Sequence, residues 1–126
     1  MGDLQRILYV EDEADIRAVA KVALQLVGGF TLELCTDGAE ALRVAAGFAP
    51  DMILLDVMMP GMDGPSTLEA LRAVPSLAGV PVAFMTAKVQ PDEIAYFKSL
   101  GALGVIPKPF DAMRLAERVR TMWSDR

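Results

Sequence analysis

Asp56 ends the run Met52-Ile53-Leu54-Leu55-Asp56, so a carboxylate stands where an otherwise apolar strand stops. Burying a carboxylate without a partner is costly, and something must compensate this one. Two more acids, Glu11 and Asp12, follow the apolar run Ile7-Leu8-Tyr9-Val10, and Lys108 ends a third apolar segment that starts Leu103-Gly104-Val105-Ile106. If these segments are parallel neighbours, three acids and one lysine meet on one rim of a sheet. Crowded carboxylates repel one another unless a divalent cation joins them, and Mg²⁺ prefers a few carboxylates, a carbonyl and water. A carboxylate can attack phosphorus as a nucleophile, and the transferring phosphoryl oxygens then need a metal, an ammonium and a hydroxyl. The rim has the chemistry of a cation and phosphoryl site.

The elements that would position these residues follow from periodicity. Short apolar or β-branched runs alternate with longer stretches of helical period, the pattern of a parallel sheet with crossover helices. We expect strands near 6–11, 31–35, 51–56, 80–86 and 103–107. Helices are expected near 14–27, 38–47, 64–73, 91–100 and 111–123. In the first helix Ile16, Ala20, Ala23 and Val27 define a face that should pack on the sheet, and Gly28-Gly29 should stop it. Asp37-Gly38 and Asp51 mark turns, and Pro91 opens the fourth helix from its first position. Five βα units in a doubly wound α/β sheet place a ligand site at the carboxyl ends of the strands, beside the point where strand order reverses.

Composition narrows the functional classes. At 126 residues the chain, 1–126, fits one domain. A net charge of −5 disfavours direct nucleic-acid binding, which needs clustered Lys and Arg. The single cysteine, Cys35, allows no internal disulfide and reads as a buried, inert thiol. No run is long enough for a membrane span and no signal-peptide pattern opens the chain, so no membrane contact is expected and the location should be cytoplasmic. The chain has no histidine, which excludes a phosphohistidine donor but not a phosphate acceptor.

Four segments, Val10-Glu11-Asp12-Glu13, Asp56-Val57-Met58-Met59-Pro60-Gly61-Met62-Asp63-Gly64, Met85-Thr86-Ala87 and Lys108-Pro109-Phe110, each fall at the end of an expected strand. In their order and spacing the chain resembles, from end to end, the receiver domain of bacterial two-component response regulators. The resemblance implies a flavodoxin-like (βα)₅ three-layer sandwich with a five-stranded parallel sheet in the order 2-1-3-4-5. It also implies that Asp56 is the phosphoacceptor, with Thr86 on a phosphoryl oxygen and Lys108 paired with Asp56 and the phosphoryl group. Mg²⁺ would be held by Glu11, Asp12, Asp56 and the backbone carbonyl of Met58. The implied partners are a sensor histidine kinase or histidine phosphotransfer protein, and a downstream protein or an attached output domain. A cis Lys108-Pro109 bond is implied as well, aiming the lysine back over the sheet edge.

Taken singly, several of these residues have plainer readings. Asp12 could cap the following helix, with Asp15 in its first turn. Thr86 could be an ordinary strand residue, and Lys108 a solvated side chain. Met59 reads as core filler and Met58 as exposed beside the site, whereas Met62 suits either reading. Asp12-Glu13-Ala14-Asp15 spells a helicase motif, but no Gly-rich phosphate loop precedes it.

The family's pattern is also departed from. Val105 stands where an aromatic often reports phosphorylation, so the switch must run through backbone and aliphatic packing, with Tyr96, Val105 and Phe110 as candidate apolar contacts; the alternative is that they simply pack the core, the preferred reading for Phe110. Leu103-Gly104 replaces acidic residues that serve a charged dimer interface in many DNA-binding regulators. The reading is therefore a regulatory phosphoacceptor, not an enzyme acting on other substrates. The alternatives are a Mg²⁺-dependent aspartyl-phosphate phosphatase or phosphotransferase, which usually has a second Asp where Met58 stands, and a pseudo-receiver, which usually lacks the acceptor or the lysine.

Overall fold

The computed structural model describes residues 3–126. Its strands are β1 (Arg6–Val10), β2 (Thr31–Cys35), β3 (Met52–Asp56), β4 (Val82–Thr86) and β5 (Gly104–Pro107). All pair in parallel in the order β2-β1-β3-β4-β5. The helices are α1 (Ala14–Ala20), continued by a π-helical stretch Lys21–Val27, then α2 (Gly38–Phe48), α3 (Gly64–Arg72), α4 (Pro91–Ser99) and α5 (Leu115–Asp125). A single 3₁₀ turn, Pro75–Leu77, leads from α3 toward β4. This is the expected doubly wound sandwich.

Strand alternation divides the apolar residues between two layers. Leu8, Val10, Ile53, Leu55, Val82, Phe84 and Val105 point to one side, where Ala41 and Ala45 of α2, Leu68 and Leu71 of α3 and Phe97 of α4 cover them. Ile7, Tyr9, Met52, Leu54, Ala83, Met85 and Ile106 point to the other, against Ala20, Ala23, Leu24 and residues Leu115, Ala116 and Val119 of α5. Every residue of β3 and β4 is buried, because both faces are covered. Cys35 is buried in the first layer, and burial pushes its thiol up to about 12.

Caps set where the helices begin and end. Asp37 and Asp63 accept hydrogen bonds from the amides of Glu40 and Ser66, satisfying donors at the starts of α2 and α3. Pro91 occupies the first turn of α4, as expected. Asp51 accepts from the amides of Gln5 and Arg6, tying the entry of β3 to that of β1.

Two local expectations are corrected. Val27 is exposed, at 43%, and Leu24 takes its place in the core. The cause is the winding: the Gly28 amide donates to Ala23 five residues back, so the face repeats at a wider interval than 3.6 residues. The last helix starts at Leu115, not near 111. Asp111 holds the amide of Met113 with its side chain and those of Arg114 and Leu115 with its carbonyl, so the intervening residues form turns.

Candidate functional site

Strand register carries the acids to one rim. Val10 lies opposite Leu55, so Glu11 and Asp12 leave β1 where Asp56 ends β3. Asp56 in turn lies opposite Met85, which puts Thr86 one step beyond it on β4. The Lys108 amide donates to the Thr86 carbonyl at 2.9 Å, bringing the lysine to the same edge. The rim lies at the carboxyl ends of the strands, and β1 is the strand from which order reverses, with β2 on one side and β3 on the other.

Lys108 connects the site electrostatically. Its Nζ donates to Glu11 Oε1 at 2.9 Å and to Asp56 Oδ1 at 3.1 Å. Its plain reading as a solvated side chain is thereby set aside, since only 16% of the side chain is exposed. Burial alone would lower its ammonium, but the hydrogen bonds and charges of Glu11 and Asp56 carry it above the ordinary lysine value. Asp56 is pushed up to about 7. Burial is the main cause, countered by its hydrogen bond from Lys108 and reinforced by the Glu11 charge. The Lys108–Pro109 bond is cis, as expected.

Glu11, Asp12 and Asp56 can each present a carboxylate oxygen within 4.8 Å of the others. Three acids facing one ammonium leave two negative charges uncompensated, and all the donors are hard oxygens. A divalent cation fits this donor set. Asp12 does not cap α1: Glu13 occupies that position, and no side chain caps the helix. Asp12 is thus left for the rim, while Asp15 does lie in the first turn. Met58 follows Asp56 by two residues in the loop after β3 and is 75% exposed. Met59 is buried against the first layer, as expected of core filler.

Thr86 is buried, and its hydroxyl accepts from the Lys88 amide at 3.0 Å, which orders the start of the β4–α4 loop. Of the three apolar residues expected at an output surface, Val105 is corrected: it lies in the core, because β5 is covered on that side by α4. Tyr96 is exposed, at 54%, and Phe110 packs partly against the second layer.

Sequence reasoning missed one member of the cluster. Tyr9 is fully buried, and its hydroxyl donates to the same Glu11 Oε1 that Lys108 holds, at 3.0 Å. Their separation of two places along one strand, which puts both on one face, was the available signal. Burial first, and the Glu11 charge second, push the Tyr9 phenol far above its ordinary value, so it acts as a neutral donor. Arg17 adds a hydrogen bond to the Glu11 carbonyl at 2.8 Å.

Comparison with known proteins agrees with this geometry. Among curated relatives, the transcriptional regulatory protein PrrA of Mycobacterium tuberculosis is 38% identical over 117 residues, 93% of this chain and 49% of its own length. The DNA-binding response regulator MtrA of the same species is 37% identical over 116 residues, 92% of this chain and 49% of its own length. The chain thus spans about half the length of the curated relatives it matches. Among solved structures, the chemotaxis protein CheY4 of Vibrio cholerae superposes with a TM-score of 0.86 at 30% identity, over 94% of this chain and 98% of that one. The family model described as the response regulator receiver domain matches residues 7–120, and the chain belongs to that family, the receiver domains of two-component signal transduction.

Proposed function

We propose that residues 1–126 form a single receiver domain that accepts a phosphoryl group on Asp56 in a Mg²⁺-dependent reaction. The observation that carries the reading is the convergence of Glu11, Asp12, Asp56, Thr86 and Lys108 on one sheet edge, with Lys108 bonded to two of the acids. Glu11, Asp12, Asp56 and the Met58 carbonyl would hold the cation, which supplies charge compensation for the acids and for the phosphoryl oxygens.

The donor is a phosphohistidine on a sensor kinase or phosphotransfer protein. An Asp56 carboxylate oxygen attacks phosphorus, the bond from phosphorus to the imidazole nitrogen breaks, and that nitrogen leaves with the bonding electron pair. The product on Asp56 is a mixed anhydride. Lys108, already at Asp56 Oδ1, is placed to pair with the new negative charge, and the Thr86 hydroxyl can leave the Lys88 amide to donate to a phosphoryl oxygen. That exchange would loosen the start of the β4–α4 loop and convert a local charge into an altered surface for a downstream protein or output domain. The domain's own chemistry is confined to gaining and losing this phosphoryl group. Its place is the cytoplasm, where such donors act, and no described helix is long and apolar enough to cross a membrane.

Intact-mass measurement after incubation with Mg²⁺ and acetyl phosphate tests the assignment. One phosphoryl increment is expected on the native chain and none on Asp56→Asn. An increment that persists in the variant refutes Asp56 as the acceptor.

A further inference from the structure

The rim contains one polar group that this function leaves unexplained, the Tyr9 hydroxyl. Tyr9 lies in the second layer among Ile7, Leu24 and Leu54, a setting that a purely apolar side chain would suit. Its hydroxyl instead reaches Glu11 Oε1, which also accepts from Lys108, while Oε2 faces the Glu13 amide at a longer 3.3 Å. The two strong donors therefore converge on one oxygen of Glu11. The other oxygen is the less engaged one.

We propose that Tyr9 is a positioning residue for the cation site: its hydroxyl anchors Glu11 Oε1 and so presents Oε2 to the metal. The inference rests on the phosphoacceptor reading above and extends it. A glutamate has one more rotatable bond than an aspartate, and a fully buried one needs a fixed partner to aim its carboxylate. Lys108 alone is a poor anchor, because Asp56 shares it, and a phosphoryl group on Asp56 would draw the ammonium further. Among the described residues the Tyr9 hydroxyl has Glu11 as its one hydrogen-bond partner. That hydroxyl keeps Glu11 Oε1 hydrogen-bonded when Lys108 is pulled toward Asp56, so the lysine can move without leaving a buried carboxylate oxygen bare.

The test is Mg²⁺ affinity of the unphosphorylated chain by isothermal titration at one pH, for native, Tyr9→Phe, Glu11→Asp and the double variant. Phenylalanine keeps the ring and removes only the hydroxyl. Tyr9→Phe should weaken Mg²⁺ binding on the order of ten-fold. In the Glu11→Asp background the shorter carboxylate no longer reaches Tyr9, and the same substitution should change little. The acetyl phosphate reaction gives a second readout: Tyr9→Phe should raise the Mg²⁺ concentration for half-maximal rate and recover the native rate at saturation. Equal affinities, or an equal loss in both backgrounds, overturn the role of Tyr9 while native uptake of Mg²⁺ leaves the site assignment intact. Absence of Mg²⁺ binding by the native chain sinks the site reading and this role with it. The native chain also supplies a check independent of any variant's folding. The Tyr9 hydroxyl proton should exchange slowly with water and shift on Mg²⁺ addition; fast exchange, or no shift while Mg²⁺ binds, overturns the proposal.

Discussion

Replacing Asp56 by Asn should stabilise the metal-free protein, and much more at pH 8 than at acidic pH. The fold raises the Asp56 carboxyl from its ordinary 3.8 to about 7, so between those values the fold binds a proton that the unfolded chain has released. Stability therefore falls as pH rises through this window, and the loss is complete above about 7. At about 1.4 kcal/mol for each tenfold change in proton affinity, ionising Asp56 costs about 4 kcal/mol more in the fold than in the unfolded chain. Asparagine keeps the shape and an acceptor for Lys108 Nζ, which sits 3.1 Å from Oδ1, but removes the charge.

Relaxation and water penetration reduce the full figure, and Lys108 exchanges a charged acceptor for a neutral one. We expect Asp56→Asn to gain about 1–3 kcal/mol at pH 8, and about a quarter of that at pH 4.5, where most native Asp56 is already protonated. Urea unfolding of both proteins in EDTA at the two pH values measures the difference. Saturating Mg²⁺ should shrink the pH 8 gain or reverse it, because the native acid then has a cation to bind. A variant less stable than native at pH 8 without metal, or a gain equal at both pH values, would refute the claim that burial of an ionised Asp56 strains the rim.

Removing the ammonium should act in the opposite sense. Lys108→Met leaves Glu11 and Asp56 facing each other without their shared donor, and metal-free stability at pH 8 should drop by about 3 kcal/mol, partly restored by Mg²⁺; equal denaturation midpoints would contradict this. Gly64→Ala should cost about 1–3 kcal/mol, since an added Cβ would lie 2.6 Å from the Asp56 carbonyl oxygen and 2.9 Å from Val57 Cα. An unchanged melting temperature for that variant would mean the turn after Asp56 yields freely. Met58 and Lys88 are exposed residues flanking Asp56 and Thr86: Met58 offers no donor or acceptor to orient an attacking water, and the Lys88 ammonium, which donates but cannot accept, can either cover the phosphoryl oxygens or point into solvent. The native phosphoform should therefore outlast that of Met58→Asn with Lys88→Glu once donor is removed, and faster native decay defeats the shielding argument.

What the sequence made legible was whatever burial forces into a one-dimensional pattern. An apolar run fully covered on both faces and ending in Asp56 can only be a central strand whose tip carries chemistry, and β3 is that strand. Glu11 and Lys108 are 97 residues apart, yet their pairing follows once parallel order brings their strand ends to one edge. Val27 was misplaced because the i→i+5 winding ahead of Gly28-Gly29 is absent from any periodic template. Val105 was misread as surface because the cover that α4 gives β5 is a packing result. The ambiguity of Asp12 between cap and ligand is resolved only by the position of Glu13 at the head of α1.

Tyr9 shows how the remaining information was hidden. A tyrosine in an apolar strand reads as bulk, and only the parity of positions 9 and 11 places its hydroxyl and the Glu11 carboxylate on one face. Once that contact is seen, the rim divides its donors unevenly. Glu11 holds a neutral donor of its own, whereas Asp56 depends on an ammonium it must share. The acid with the private donor is the one whose carboxylate is held in place beside the cation site. The acid with the borrowed one stays under electrostatic strain, and a cation or a phosphoryl group that recruits Lys108 relieves that strain directly. Stability of the metal-free fold and reactivity toward a phosphodonor thus draw on the same repulsion, so Asp56→Asn should gain the first by surrendering the second.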